Sequence, residues 1–188
     1  MKKFLLLFPI LITSNFLWSQ NVSYLNQKAV GLSLSNGLPL YELPEGGFYQ
    51  PFILNAYYRL PVFKTKNAFN LQISFKPQYA GLYVNQHFHH ETGLNVGFDL
   101  SVRLSDNSML TYSTGSGPHF ITYQSRRQAK GFIFSDNFLL VFRKKTGIDS
   151  DFEFEIFSGI RHISNAGIKR PNGGINNWII GFSLGKLL

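Results

Sequence analysis

Residues 94–104 read Leu-Asn-Val-Gly-Phe-Asp-Leu-Ser-Val-Arg-Leu, and every second side chain in this stretch is apolar. Successive side chains of a β-strand point to opposite faces, so the pattern gives one apolar face and one polar face. The polar face carries Asp99 and Arg103. We therefore predict a strand here with one face turned away from water.

The same alternation recurs along the chain, in residues 69–76, 152–161 and 178–185 among others. We predict eight strands in all, at residues 28–36, 51–61, 68–80, 91–105, 108–116, 131–144, 150–162 and 176–186. Their connections alternate between short and long, which is typical of outer-membrane barrels, and so is an even number of strands. Periodicity alone also fits a soluble sandwich. Strand length, loop alternation and an export signal favour an all-β, eight-stranded antiparallel transmembrane barrel.

The N-terminus has the pattern of a secretory signal. Lys2 and Lys3 precede an apolar run at residues 4–12, and a polar stretch ends near Ser19-Gln20. We therefore predict a signal peptide at 1–20, a single barrel domain at 21–188 and a location in the outer membrane. No later stretch has 18 consecutive apolar residues, so no transmembrane helix is predicted. The chain has no cysteine, which excludes disulfides and thiolate metal sites.

The charge of the chain favours a lipid partner. The formal net charge is +8, and it falls to +6 without Lys2 and Lys3. For a basic exported protein without a nucleic-acid motif, phosphorylated lipid is the expected anion. His87, His89 and His90 lie near Glu91 in a predicted loop. A metal site is one interpretation of this cluster, and an exposed loop or one that faces lipid headgroups is the favoured one. We predict no metal and no cofactor.

Residues 161–176 hold the candidate site. His162 and Ser164 are two apart, so on a strand they share a face, and Asn176 has the parity of the apolar face of the next strand. Same-face side chains on adjacent antiparallel strands lie about 4.5–5.5 Å apart. A base, a nucleophile and an orienting group are thus expected to assemble on the face that meets lipid, where polar residues are functional by default. Gly115-Ser116-Gly117 is interpreted as a flexible loop or a wall beside this site.

Several motifs resemble one family. His-Ile-Ser-Asn-Ala-Gly at 162–167, Pro-Asn-Gly-Gly-Ile at 171–175, Gly-Ser-Gly-Pro-His-Phe at 115–120 and the segment 131–138 are similar to segments of the PagL-type lipid A 3-O-deacylases, also called acyloxyacyl hydrolases. The resemblance covers about 115–185. It implies an eight-stranded outer-membrane barrel that hydrolyses the ester-linked acyl chain at the 3 position of lipid A.

Carried over by motif, the resemblance implies His162 as the base, Ser164 as the nucleophile and Asn172 as an oxyanion donor. The chain departs from the family at Asn176, where well-known members have a glutamate. An amide still accepts a hydrogen bond from the imidazole, as the asparagine of cysteine proteases does. A weaker assignment to substrate binding is made for Asn165, Arg126, Arg127, Lys169 and Arg170. The four basic residues of this set and Lys130 are expected either to attract lipid A phosphates or to form a solvated rim.

Three functions remain open from the sequence. The first is an esterase acting on lipid A, or lipopolysaccharide, in the outer leaflet. The second is a phospholipase or general lipid esterase that uses the same site. The third is a catalytically silent structural or adhesive barrel. The expected partners are lipid A and membrane lipid, with no nucleic acid, and a homodimer is possible.

Overall fold

Eight strands form a closed barrel in the computed structural model, which describes residues 24–63, 68–84, 87–147 and 149–188. The predicted signal peptide lies outside these ranges. A short 3₁₀ helix (Tyr24–Asn26) is followed by β1 (Ala29–Pro39), β2 (Phe52–Pro61), β3 (Phe69–Val84), β4 (His87–Ser105), β5 (Ser108–Ile121), β6 (Gly131–Lys145), β7 (Phe152–Ser164) and β8 (Ile175–Leu187). Each strand pairs antiparallel with the next, and β8 pairs with β1. The predicted fold class is confirmed.

The barrel wall is apolar outside and charged inside. On β4, Phe98 is 52% exposed on the outer face, whereas Asp99 is fully buried on the inner face. Inside the barrel, Arg143 Nη2 donates to Asp99 Oδ2 at 2.7 Å, and Arg59 pairs with Glu155 and, at 3.2 Å, with Glu153. A soluble sandwich would bury its apolar face. The exposed apolar face and the buried charges therefore favour a transmembrane barrel whose outer wall contacts lipid.

The upper part of the barrel departs from the prediction. We expected a long loop between residues 80 and 91, but β3 continues to Val84 and β4 begins at His87. The expected alternation of short and long connections is therefore wrong at this hairpin, and His87, His89 and His90 are strand residues. Leu82 and Val84 of the extension are buried inside the barrel, whereas Tyr83 and Phe88 are exposed, so apolar residues lie on both faces and the alternation of apolar and polar residues is lost. Within the described ranges, no group of three or more His, Cys, Asp or Glu side chains is arranged to hold a metal ion.

The segment Gly115-Ser116-Gly117 is part of β5 rather than a loop. A Cβ at Gly117 would overlap the carbonyl oxygen of Leu94 on β4. Glycine at this position therefore allows close approach of two strands. Across the part of the chain that the structure describes, no helix is long and apolar enough to cross a membrane.

Candidate active site

The hairpin of β7 and β8 brings the imidazole and the amide together. His162 is the register partner of Asn176, and His162 Nδ1 lies 2.6 Å from Asn176 Oδ1. An amide oxygen only accepts hydrogen bonds, so Nδ1 carries the proton and Nε2 carries the lone pair. This is the tautomer that a general base needs on the Nε2 side.

Ser164 lies two residues beyond His162 on the same face, at the end of β7, and both side chains are half-buried. Among the described residues, no hydrogen bond joins Ser164 Oγ to the imidazole. Hydrogen bonds between catalytic groups commonly tighten only when substrate is bound. The arrangement thus places a hydroxyl and a hydrogen-bonded imidazole on one face at the end of β7, on the outer wall of the barrel.

Gly174 makes room for the imidazole. It adopts φ +63°, a left-handed conformation that favours glycine. A Cβ built at Gly174 would overlap His162 Cε1 and would lie 3.1 Å from Nε2. The Cε1 side of the imidazole therefore packs against the turn that precedes β8, in space that a side chain at residue 174 would fill.

Two side chains from other loops hold this turn. Arg127 Nε donates to the Gly174 carbonyl oxygen at 2.6 Å, and Tyr41 Oη donates to the same oxygen at 3.2 Å. The Asn176 N–H donates to Tyr41 Oη at 2.9 Å. The Arg127 guanidinium lies over the Tyr41 ring, 4.6 Å from its centroid. Arg127, predicted to bind substrate, thus also fixes the backbone beside His162.

The loop between β7 and β8 is ordered by two asparagines. Asn165 is buried, and its Nδ2 donates to the Lys169 carbonyl at 2.6 Å while its Oδ1 accepts from the Gly167 N–H at 3.1 Å. The Asn165 N–H donates to Asn172 Oδ1 at 2.8 Å. Since the amide oxygen of Asn172 is engaged in the loop, the exposed Asn172 side chain has its Nδ2 group left as the donor.

The basic residues belong to two loops that the structure joins. Gln128 and Asn172 form an isolated β-bridge, the Ala129 N–H donates to the Pro171 carbonyl at 2.9 Å, and the Gly173 N–H donates to the Arg127 carbonyl at 2.6 Å. These contacts bring the basic residues of both loops to one side of the barrel rim. The exposed ones are Arg126, Lys130, Lys169 and Arg170.

The inner face supports the end of β7. Arg161, next to His162, is fully buried and pairs with Glu91. Glu91 also contacts His119 Nδ1 at 2.6 Å and accepts a hydrogen bond from Tyr49 Oη at 2.9 Å. Burial, with the Glu91 charge in addition, raises the pKa of Tyr49, which keeps the phenol a neutral donor. This buried network joins β7 to β4, to β5 and to the loop before β2, and it thereby supports the strand on which the imidazole stands.

A row of polar side chains crosses the outer wall at the level of the imidazole. Ser116 pairs in register with Asp136, Asp136 with His162, and His162 with Asn176. We call these four residues the outer polar row. Ser116 Oγ donates to Asp136 Oδ1 at 2.5 Å. Asp136 was not predicted as a site residue, although a carboxylate with the parity of the apolar Phe134 and Phe138 is visible in the sequence. No local sequence pattern indicated that Gly174 and Tyr41 contact the site.

The chain is similar to one protein family and to solved outer-membrane proteins. The family model described as "Lipid A 3-O-deacylase (PagL)" matches residues 52–185. The crystal structure of the outer membrane enzyme PagL is similar with a TM-score of 0.63 and 16% identity, and the match covers 81% of this chain and 97% of that chain. Ail, the attachment invasion locus protein of Yersinia pestis, has a TM-score of 0.49 and 13% identity, with 85% of this chain and 96% of that chain covered. No curated protein matches significantly.

The family match spans well over half of the chain, and it includes the strands that carry the imidazole, the hydroxyl and Asn176. The closed barrel with its apolar outer wall is a protein of the outer membrane, as predicted. The chain belongs to the lipid A 3-O-deacylase (PagL) family.

Proposed function

We propose that this protein is an outer-membrane esterase that removes an ester-linked acyl chain, at the 3-O position, from lipid A in the outer leaflet. One observation supports it most. The hydrogen bond from His162 to Asn176 fixes an imidazole next to Ser164, on the outer wall where a lipid ester can approach in the membrane plane. Family membership supplies the substrate class, lipid A.

The proposed mechanism is acyl transfer through a serine ester. Ser164 Oγ attacks the ester carbonyl carbon while its proton passes to His162 Nε2. The oxyanion accepts a hydrogen bond from Asn172 Nδ2. The ester C–O bond then breaks, and the sugar oxygen takes the proton from the imidazolium. Water repeats the sequence on the acyl-enzyme, releasing the fatty acid and regenerating Ser164.

Asn176 has a defined role in this mechanism. Its amide oxygen, 2.6 Å from Nδ1, is proposed to hold the Nδ1–H tautomer. The Asn176 amide provides no negative charge to stabilise the imidazolium. We therefore expect a lower rate of hydrolysis than in an enzyme with an acidic residue at this position. The basic side chains of the joined loops, Arg126, Lys169 and Arg170, are proposed to attract the lipid A phosphates.

The test is mass spectrometry of lipid A from cells that express the protein, beside cells that express Ser164→Ala. Loss of one acyl-chain mass that requires Ser164 supports the proposal. Unchanged lipid A, with the barrel folded in the outer membrane, refutes it. Release of fatty acid from glycerophospholipid instead would assign a phospholipase to the same site, and no release from either lipid would leave a catalytically silent barrel.

A further inference from the structure

Three exposed lysines lie on the outer wall, at the end of the barrel opposite the candidate active site. Lys144 on β6 is the register partner of the outward-facing Phe154. Lys186 on β8 is the register partner of the outward-facing Phe152. Lys28 lies just before β1, beside the end of β8. We call these three residues the lower lysine cluster, and its ammonium groups border two exposed aromatic rings.

The lower lysine cluster has no counter-charge within the described ranges. None of its three side chains forms a salt bridge or a hydrogen bond there. Lys76, by contrast, points into the barrel, where its Nζ lies 3.5 Å from Asp99 Oδ1. The exposed Asp149 and Asp151 lie in the turn between β6 and β7, and neither forms a salt bridge with the cluster. The three positive charges are therefore available to an anion outside the barrel.

The length of β8 sets the level of the cluster in the membrane. From Asn176 to Lys186 the strand advances about 34 Å. Strands of outer-membrane barrels are tilted by about 35–45°, so the two residues are about 24–28 Å apart along the membrane normal, which matches an apolar band roughly 25 Å tall. The outward side chains between them are exposed and apolar: Trp178, Ile180, Phe182 and Leu184. With the candidate site at the headgroups of the outer leaflet, the cluster lies at the headgroups of the inner leaflet.

A groove in the outer wall begins at the cluster. It has a volume of about 650 Å³, and its lining includes Lys186 together with Val30, Leu32, Phe152 and Leu184. Ligand sites in proteins are likewise mostly apolar, with a few polar groups that fix the orientation of the ligand. The stem of a lysine packs along an apolar surface while its ammonium group stays at the polar boundary. A phosphate at Lys186 and an acyl chain in the groove can therefore belong to one lipid.

The positive charge is confined to one side of this rim. On β2, β3 and β4, the described outward-facing residues at the same end of the barrel are apolar: Leu60, Phe69 and Leu104. A rim that only attracted the membrane surface in general would not need its charges beside a groove. The coincidence of the cluster with the groove indicates a discrete lipid site.

We propose that the lower lysine cluster and this groove bind one anionic glycerophospholipid of the inner leaflet. Its phosphate lies between Lys144 and Lys186, and one acyl chain lies along the groove. The two lysines stand on either side of β7, about 12 Å apart, from two strand spacings and an offset of two residues. Two long side chains can close this distance around one phosphate. Phosphatidylethanolamine has no net charge, so the cluster favours phosphatidylglycerol over it. The site is remote from Ser164 and does not depend on the proposed esterase function.

The test is native mass spectrometry of the Ser164→Ala protein from micelles that contain equal amounts of phosphatidylglycerol and phosphatidylethanolamine. This background prevents hydrolysis of the probe by the proposed nucleophile. We expect one phosphatidylglycerol to be retained in preference to phosphatidylethanolamine. Lys144→Gln and Lys186→Gln should each weaken its binding about fivefold, and the double variant about thirtyfold, as expected for one and two charges at a lipid surface. Higher ionic strength should weaken the binding as well.

Lys145→Gln is the matched control. It removes the same charge one residue from Lys144, but Lys145 has the inward parity of its register partner Glu153, and its Nζ lies 5.8 Å from the centroid of the Tyr24 ring. Binding of phosphatidylglycerol should therefore be unchanged in this variant. An equal loss in Lys145→Gln would mean that net charge alone matters, and the inference would be overturned.

Three other results would also overturn the inference. The first is equal retention of the two lipids, and the second is displacement of phosphatidylglycerol by excess inorganic phosphate, which would assign the lysines to the free anion. The third is a loss of binding in Lys169→Gln/Arg170→Gln instead of the cluster variants, which would place the lipid at the outer rim. Urea unfolding in micelles checks the fold of each variant, and no change is expected because the cluster side chains have no partners in the described part of the protein.

Discussion

Replacement of Gly174 by alanine is expected to inactivate the protein at a small cost in stability. Alanine at φ +63° costs about 1–2 kcal/mol of stability, because an L side chain is strained in the left-handed region. The added methyl also overlaps His162 Cε1. Carbon atoms normally stay about 3.5–4.0 Å apart, so the imidazole has to move by roughly 1 Å. A displacement of that size at a catalytic group lowers the rate about a hundredfold.

Gly167 is the matched control for this prediction. It also has a positive φ, +81°, in the same loop, but nothing lies within 4 Å of a Cβ built there. Gly167→Ala should therefore show the same loss of stability and nearly normal activity. The assay is the initial rate of fatty-acid release from lipid A, with urea unfolding in micelles as the stability measurement. The reasoning is refuted if both variants lose activity equally, or if Gly174→Ala stays within a few-fold of wild type.

Three further substitutions test the support of the site, each measured by the same rate and unfolding assays. Asn176→Leu removes the acceptor for His162 Nδ1 and should lower kcat by about a hundredfold or more. Asn176→Glu adds a negative charge and should raise kcat by up to about fivefold. Equal rates for the two variants would contradict the role assigned to Asn176. Tyr41→Phe removes two hydrogen bonds to the turn at Gly174 and should lower kcat several-fold with KM little changed, so a change in KM alone would argue against it. Glu91→Leu leaves Arg161 buried and unpaired and should destabilise the barrel by about 3–5 kcal/mol; a loss below about 1 kcal/mol would show that the pair is dispensable.

The fold was predictable from sequence because a barrel wall imposes a period of two on every strand. That signal is strong at 94–104 and weak where the wall leaves the membrane, which is why the extensions of β3 and β4 at Val84 and His87 were missed. Leu82 and Val84 of this hairpin pack into a buried cluster inside the barrel, while Tyr83 faces outward, so apolar residues occupy both faces and the period of two is no longer visible in the sequence.

The site was predictable only in part. His162, Ser164 and Asn176 lie close in sequence on one hairpin, so parity alone could place them on a common face. The contacts of Tyr41 with Gly174 and Asn176 join residues more than 130 positions apart. Such contacts depend on closure of the whole barrel, and no local pattern encodes them. The sequence parity of Asp136 predicts that it lies on the outer face, but only the register of β6 and β7 shows that it lies opposite His162.

The outward direction of the imidazole and hydroxyl determines the kind of kinetics to expect. Because Ser164 faces the surrounding lipid rather than the lumen, the proposed substrate is expected to arrive by lateral diffusion in two dimensions. The relevant concentration is then a mole fraction in the leaflet or micelle, and inert detergent should slow the reaction by surface dilution even when the bulk concentration of lipid is constant. Rates measured at different detergent ratios are comparable only after conversion to that surface scale.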